Sequence, residues 1–178
     1  MTAQRAFTLI ELLITIAVAG VLIAIAVPSF KSAIIGNQLN TISSELADAM
    51  STARNESVNR NKTMILCRTD TAESAACKTG TIWEYWIIKQ NTSTSKEDDV
   101  IRRGNFSSQK ASIEITTFKI QDSKINFNTD GLVRSGSSLL DDAQFIVCTK
   151  NLTENTGRII KLNAIGQVSI IKSDKECP

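Results

Sequence analysis

The sequence predicts an α+β fold: one long N-terminal helix, half transmembrane and half amphipathic, packed on an antiparallel β-sheet head. Three observations predict it. Residues 7–27 form an apolar run in which Glu11 is the one ionisable side chain. Ile34, Ile35, Leu39, Ile42, Leu46, Ala49, Met50 and Ala53 then recur mostly at spacings of three and four, the period of a helix face. Beyond Lys62, short apolar runs alternate with polar, glycine-containing turns, which is the pattern of strands.

The apolar run comes first in the chain. Its 21 residues from Phe7 to Val27 would span about 31 Å as a helix, the thickness of a bilayer's hydrocarbon core. Arg5 precedes the run and favours a cytoplasmic N-terminus, with the bulk of the chain on the far side. A cleaved secretory signal would need a longer basic region and a shorter apolar core, although Ala24 and Ala26 imitate its cleavage site. A plain membrane anchor leaves Glu11 unexplained. A charge within the membrane costs about 3 kcal/mol on insertion scales and marks a functional position.

Pro28 lacks an amide hydrogen and predicts a kink or a loosened turn. The amphipathic half then runs to about residue 59, with Asn40, Ser43, Ser44, Asp48 and Asn55 on its polar face. Strands are expected at 62–67, 82–88, 100–103, 113–118, 125–127, 131–134, 145–149, 158–162 and 168–171, with a polar loop over 90–99. Asp130-Gly131 and Ile165-Gly166 read as turns. There is no internal repeat and no long linker, so residues 28–178 are expected to form one head.

Composition excludes more than it supplies. The 20 basic and 18 acidic side chains nearly cancel to +2, and there is no histidine. That removes the commonest general base and the commonest metal ligand. No nucleophile elbow, phosphate loop or dinucleotide fingerprint is present, so no catalytic residue, metal or cofactor is assigned. Asp98-Asp99 and Asp141-Asp142 read as solvated turn charges, too few in oxygen ligands for calcium. Trp83, Tyr85 and Trp86 fit a core with a surface edge better than a binding platform. Cys67, Cys77, Cys148 and Cys177 contain no C-x-x-C pair and suit disulfides in an oxidising compartment. Four cysteines allow three pairings; proximity in sequence favours Cys67–Cys77 and Cys148–Cys177, each contributing about 2–4 kcal/mol in the chain-entropy model.

The stretch Ala6-Phe7-Thr8-Leu9-Ile10-Glu11-Leu12-Leu13 resembles the processing motif of type IV pilins and type II secretion pseudopilins. The resemblance implies a leader of residues 1–6, cut by a prepilin peptidase between Ala6 and Phe7. It also implies N-methylation of Phe7 and a role for Glu11 in subunit assembly. The family usually has glycine before the cut, where this chain has Ala6. A second match, Ile125–Gly131, Phe145–Cys148 and Gly157–Gly166, resembles the subgroup of H-type pseudopilins and FimT/FimU minor pilins. The implied partners are other pilin or pseudopilin subunits. The implied location is the inner membrane, single-pass with a periplasmic head, and then a pilus or pseudopilus. Three functions follow in order: a FimU-like subunit that primes or caps a type IV pilus, an H-type pseudopilin, and a FimT-like subunit that captures DNA. The third would draw on Arg158, Lys161, Lys172 and Lys175, a set diluted by Asp174 and Glu176, and the turn Gly166-Gln-Val-Ser lacks that subgroup's arginines.

Overall fold

A computed structural model describes residues 8–92, 96–106, 113–140, 142–150 and 157–173. Helix α1 covers Leu9–Asn59. Strands follow in the order β1 (Met64–Thr69), β2 (Tyr85–Gln90), β3 (Val100–Asn105), β4 (Ile113–Phe118), β5 (Lys124–Phe127), β6 (Val133–Ser135), β7 (Ser138–Leu139), β8 (Ala143–Thr149), β9 (Gly157–Leu162) and β10 (Val168–Ser173). The α+β class holds. Helix α1 continues through Pro28, so the missing amide hydrogen does not end the element there.

The chain divides into two units, residues 1–37 and 38–178. In the first, the described side chains from Leu9 to Val27 are all exposed. The second is the head, and its core starts on the helix. Leu39, Ile42, Leu46, Ala49, Met50 and Ala53 are buried, the stripe that the sequence spacing predicts. Its first expected residue, Ile34, is instead exposed. Ser43, expected on the polar face, is buried; its hydroxyl donates to the Leu39 carbonyl at 2.7 Å, which removes the cost of an unpaired hydroxyl in the core.

The head holds two antiparallel sheets rather than the single sheet expected. One has the order β3-β2-β1-β5-β6-β7 and the other β10-β9-β8-β4. Register pairs Met64 with Phe127 and Leu66 with both Ile125 and Ile88, so these buried residues share the helix-facing side of the first sheet. Its opposite side carries a smaller cluster of Ile65, Cys67 and Ile87 with Cys77 and Val100. The connection from β1 to β2 covers that cluster and is tied down by the Cys67–Cys77 disulfide. Lys89 donates to the Ala75 carbonyl, and Arg103 to the Ala72 and Ser74 carbonyls, so cations satisfy loop carbonyls that have no strand partner.

Trp83 bridges the two sheets. The expected strand at 82–88 starts only at Tyr85, because the Arg68 guanidinium takes the Ile82 carbonyl and the Trp83 amide donates to Ile115 of β4. The Trp83 ring stands edge-on to Phe145 at 4.9 Å, so one buried residue joins both sheets. Trp86 is also buried, and Tyr85 is half-buried, which places the tryptophans in the core. Trp86 lies over Gly104, where a Cβ atom would meet its ring at 2.0 Å; the strand needs glycine there. The expected Asp130-Gly131 and Ile165-Gly166 turns form, with φ of +75° and +74° at the two glycines. Arg54 of the helix reaches both: its Nε donates to the Gly131 carbonyl at 3.2 Å, and its Cδ sits 2.5 Å from where a Gly166 Cβ would be.

Candidate functional site

The first turn of α1 is built by its own sequence. Thr8 precedes the helix, and its Oγ1 accepts the Glu11 amide at 3.3 Å while its carbonyl accepts the Leu12 amide at 3.2 Å. Thr8 is therefore the N-cap, and Glu11 falls three residues on, the spacing of a capping box. The T-x-x-E spacing of Thr8 and Glu11 is the sequence signal for this cap. A carboxylate in the first turn also meets the positive end of the helix dipole.

From Leu12 to Val27 the helix carries no further charged side chain. Thr15 Oγ1 returns its hydrogen bond to the Leu12 carbonyl at 2.8 Å. Leu9, Ile10, Leu12, Leu13, Ile14, Ile16, Val18, Val21, Leu22, Ile23, Ile25 and Val27 are exposed. Among the described residues the Glu11 carboxylate has no ion-pair partner. The helix is long and apolar enough to cross a membrane. A charged side chain on an apolar span of this kind is costly to hold in a membrane. Ala6 and Phe7 lie outside the described residues.

The remaining expected sites separate in space. Cys67 and Cys77 are joined, with Cα atoms 5.6 Å apart. Cys148 is disulfide-bonded as well, while Cys177, its expected partner, lies outside the described residues. Of the four basic residues considered for DNA, the three described ones do not gather on one surface. Arg158 is 5% exposed; its Nε donates to Asn40 Oδ1 at 2.9 Å and its Nη1 to the Gly157 carbonyl at 2.8 Å. Burial lowers its pKa, the desolvation response of a cation removed from water. It is a link between sheet and helix, which corrects its reading as a phosphate contact. Register puts Lys172 on the face of Arg158 and Lys161 on the opposite face, and Lys175 lies outside the described residues. Among the described residues no group of three or more His, Cys, Asp or Glu could hold a metal ion. Asp98 and Asp99 sit in a short 3-10 turn, where Asp99 accepts the Thr92 hydroxyl at 2.6 Å. Asp142 is exposed, and Asp141 lies outside the described residues.

An exposed apolar helix whose one acid has no partner among the described residues, followed by a two-sheet α+β head, is a pilin-like arrangement. Two family models match: the type II transport protein GspH over residues 43–166, and the prokaryotic N-terminal methylation motif over residues 1–27. The chain belongs to this family of minor pilins and pseudopilins of type IV pilus and type II secretion systems. It is 35% identical over 118 residues to a type IV major alpha-pilin of Moraxella bovis, covering 66% of this chain and 63% of that one. It is also 35% identical over 99 residues to a fimbrial protein of Moraxella nonliquefaciens, covering 53% and 61%. The chain thus spans about three-fifths of the length of these curated relatives. Its fold resembles the type IV minor pilin FimU of Pseudomonas aeruginosa, with a TM-score of 0.55 at 14% identity over 77% of this chain and 95% of that one. It also resembles the minor pseudopilin EpsH of the Vibrio cholerae type 2 secretion system, with a TM-score of 0.51 at 6% identity over 76% and 97%.

Proposed function

We propose that this chain is a FimU-like minor pilin that primes or caps a type IV pilus, acting as a structural subunit rather than an enzyme. The observation that carries the reading is Glu11, without an ion-pair partner among the described residues, on an exposed apolar helix within the methylation motif. On this reading a prepilin peptidase removes residues 1–6, cutting between Ala6 and Phe7, and the new Phe7 amine is methylated. The subunit waits in the inner membrane through residues 7–27, with its head in the periplasm. There Cys148 pairs with Cys177. During assembly the Phe7 amine of one subunit meets Glu11 of another, so two charges that are each costly in an apolar medium offset one another.

The pilus reading draws on the likeness to pilins in Moraxella. A second reading, an H-type pseudopilin of a type II secretion system, is favoured by the family model that covers most of the head. DNA capture is not carried forward, because Arg158 is buried and Lys161 and Lys172 face apart. Mass spectrometry of the chain recovered from sheared surface filaments tests the proposal. Methylated Phe7 as the first residue, found in pili, is the expected result. A retained leader would refute the processing step, and recovery solely with secretion components would favour the second reading.

A further inference from the structure

We propose that the outer edge of β10 is a docking edge that takes an extended strand from a neighbouring filament subunit. This inference rests on the filament reading above. A free sheet edge presents a row of backbone donors and acceptors that recognises another strand, and folded proteins ordinarily blunt such edges. Among the described residues the head blunts three of its four sheet edges. At β3 the register shifts between Ile88 and Lys89, and Arg102 and Arg103 are engaged by Asp48 and Glu97. Strand β7 is two residues long. Strand β4 gives its Ile115 carbonyl to the Trp83 amide. Strand β10 is different. It is six residues long, it contains neither proline nor glycine, and among the described residues no strand pairs beyond it.

The side chains of β10 state what the docking strand must look like. Ile170 and Ile171 are 42% and 43% exposed, and register puts Ile170 on the helix-facing side beside Ile160 and Ile171 on the outer side beside Ile159. A strand laid along this edge would therefore find an apolar neighbour on each face. The nearby cations lack partners: among the described residues neither Lys172 nor Lys161 is in an ion pair. Charge complementarity then calls for a segment with apolar residues on both faces and a carboxylate opposite Lys172. Such pairing sets specificity mainly by rejecting strands that carry a cation there.

Hydrogen exchange on the full-length chain tests this, comparing the protein in detergent micelles with the protein in isolated filaments. Amides of residues 168–173 are expected to exchange at least about tenfold more slowly in filaments, as a newly paired strand does. The Lys172→Glu variant should enter filaments with that protection reduced, while the melting temperature of its head stays unchanged. Unchanged exchange over 168–173 in filaments that contain the chain would overturn the docking edge and leave the filament reading intact. Full protection in Lys172→Glu would overturn the carboxylate requirement. A chain absent from every filament fraction would overturn both the docking edge and the reading beneath it.

Discussion

The two halves of α1 use similar apolar residues to opposite ends. From Leu9 to Val27 the side chains are exposed around the whole circumference, whereas from Leu39 to Ala53 they are buried along one stripe. The first half has no polar face to separate from its apolar one, and among the described residues nothing covers it. The second half has such a face, and Asp48 and Asn40 on it reach Arg102 and Arg158 of the two sheets. The difference teaches that the pattern of polar positions, rather than apolar content, decides whether a helix is completed by its own chain or by other molecules.

Glu11→Ala gives the largest separation between the halves. On the proposed pairing with the Phe7 amine, removing one partner of a buried charge pair costs about 3–5 kcal/mol, so incorporation into filaments should fall more than about a hundredfold. Membrane insertion and head melting should stay unchanged; normal incorporation by filament shearing and immunoblot would remove the assembly role. Leu46→Ala, in the buried half, should destabilise the head by about 2–5 kcal/mol, while Leu13→Ala leaves its denaturation midpoint in place. Equal shifts from the two would dissolve the distinction. Cys67→Ser opens the ten-residue loop to Cys77 and should cost roughly 2–4 kcal/mol, measured by thermal melting with and without reductant. Gly166→Ala sets a Cβ against Arg54 at φ +74° and should cost about 1–3 kcal/mol, with Arg54→Ala relieving part of the clash.

The smallest effects are electrostatic and opposite in sign. Asp130 accepts the Leu132 amide at 2.9 Å and faces Arg134, and these hydrogen bonds lower its pKa. Its contribution to stability is present above the ordinary carboxylate value and is lost as pH falls through the lower folded value. Asp130→Asn should flatten the acid limb of a melting-temperature profile. Burial raises the pKa of Glu45, an effect Arg102 opposes and Asp48 adds to. Ionising Glu45 therefore costs stability as pH rises from the ordinary carboxylate value through the folded one. Glu45→Gln should raise the melting temperature slightly at neutral pH and leave it unchanged in acid.

Much of this was legible because it is periodic or local. The stripe from Leu39 to Ala53, the two glycine turns and the nearest-neighbour Cys67–Cys77 bond all follow from short-range spacing. What the sequence hid depends on partners far along the chain. Arg158 counts as a surface charge until Asn40, 118 residues away, is seen to accept from it. Ser43 looks polar and exposed until its hydroxyl is seen to be satisfied within the helix. The start of β2 turns on one amide, that of Trp83, which donates to Ile115 of the other sheet rather than to a neighbour in its own hairpin. No periodicity records that choice.

That choice also governs how the head comes apart. With its amide held by one sheet and its chain leading into the other, Trp83 couples the two sheets. Heating should therefore produce a single sharp transition, with tryptophan fluorescence and circular dichroism changing together. A subunit exported through a membrane would then present either a finished head or none, with no half-folded form to be built into a filament.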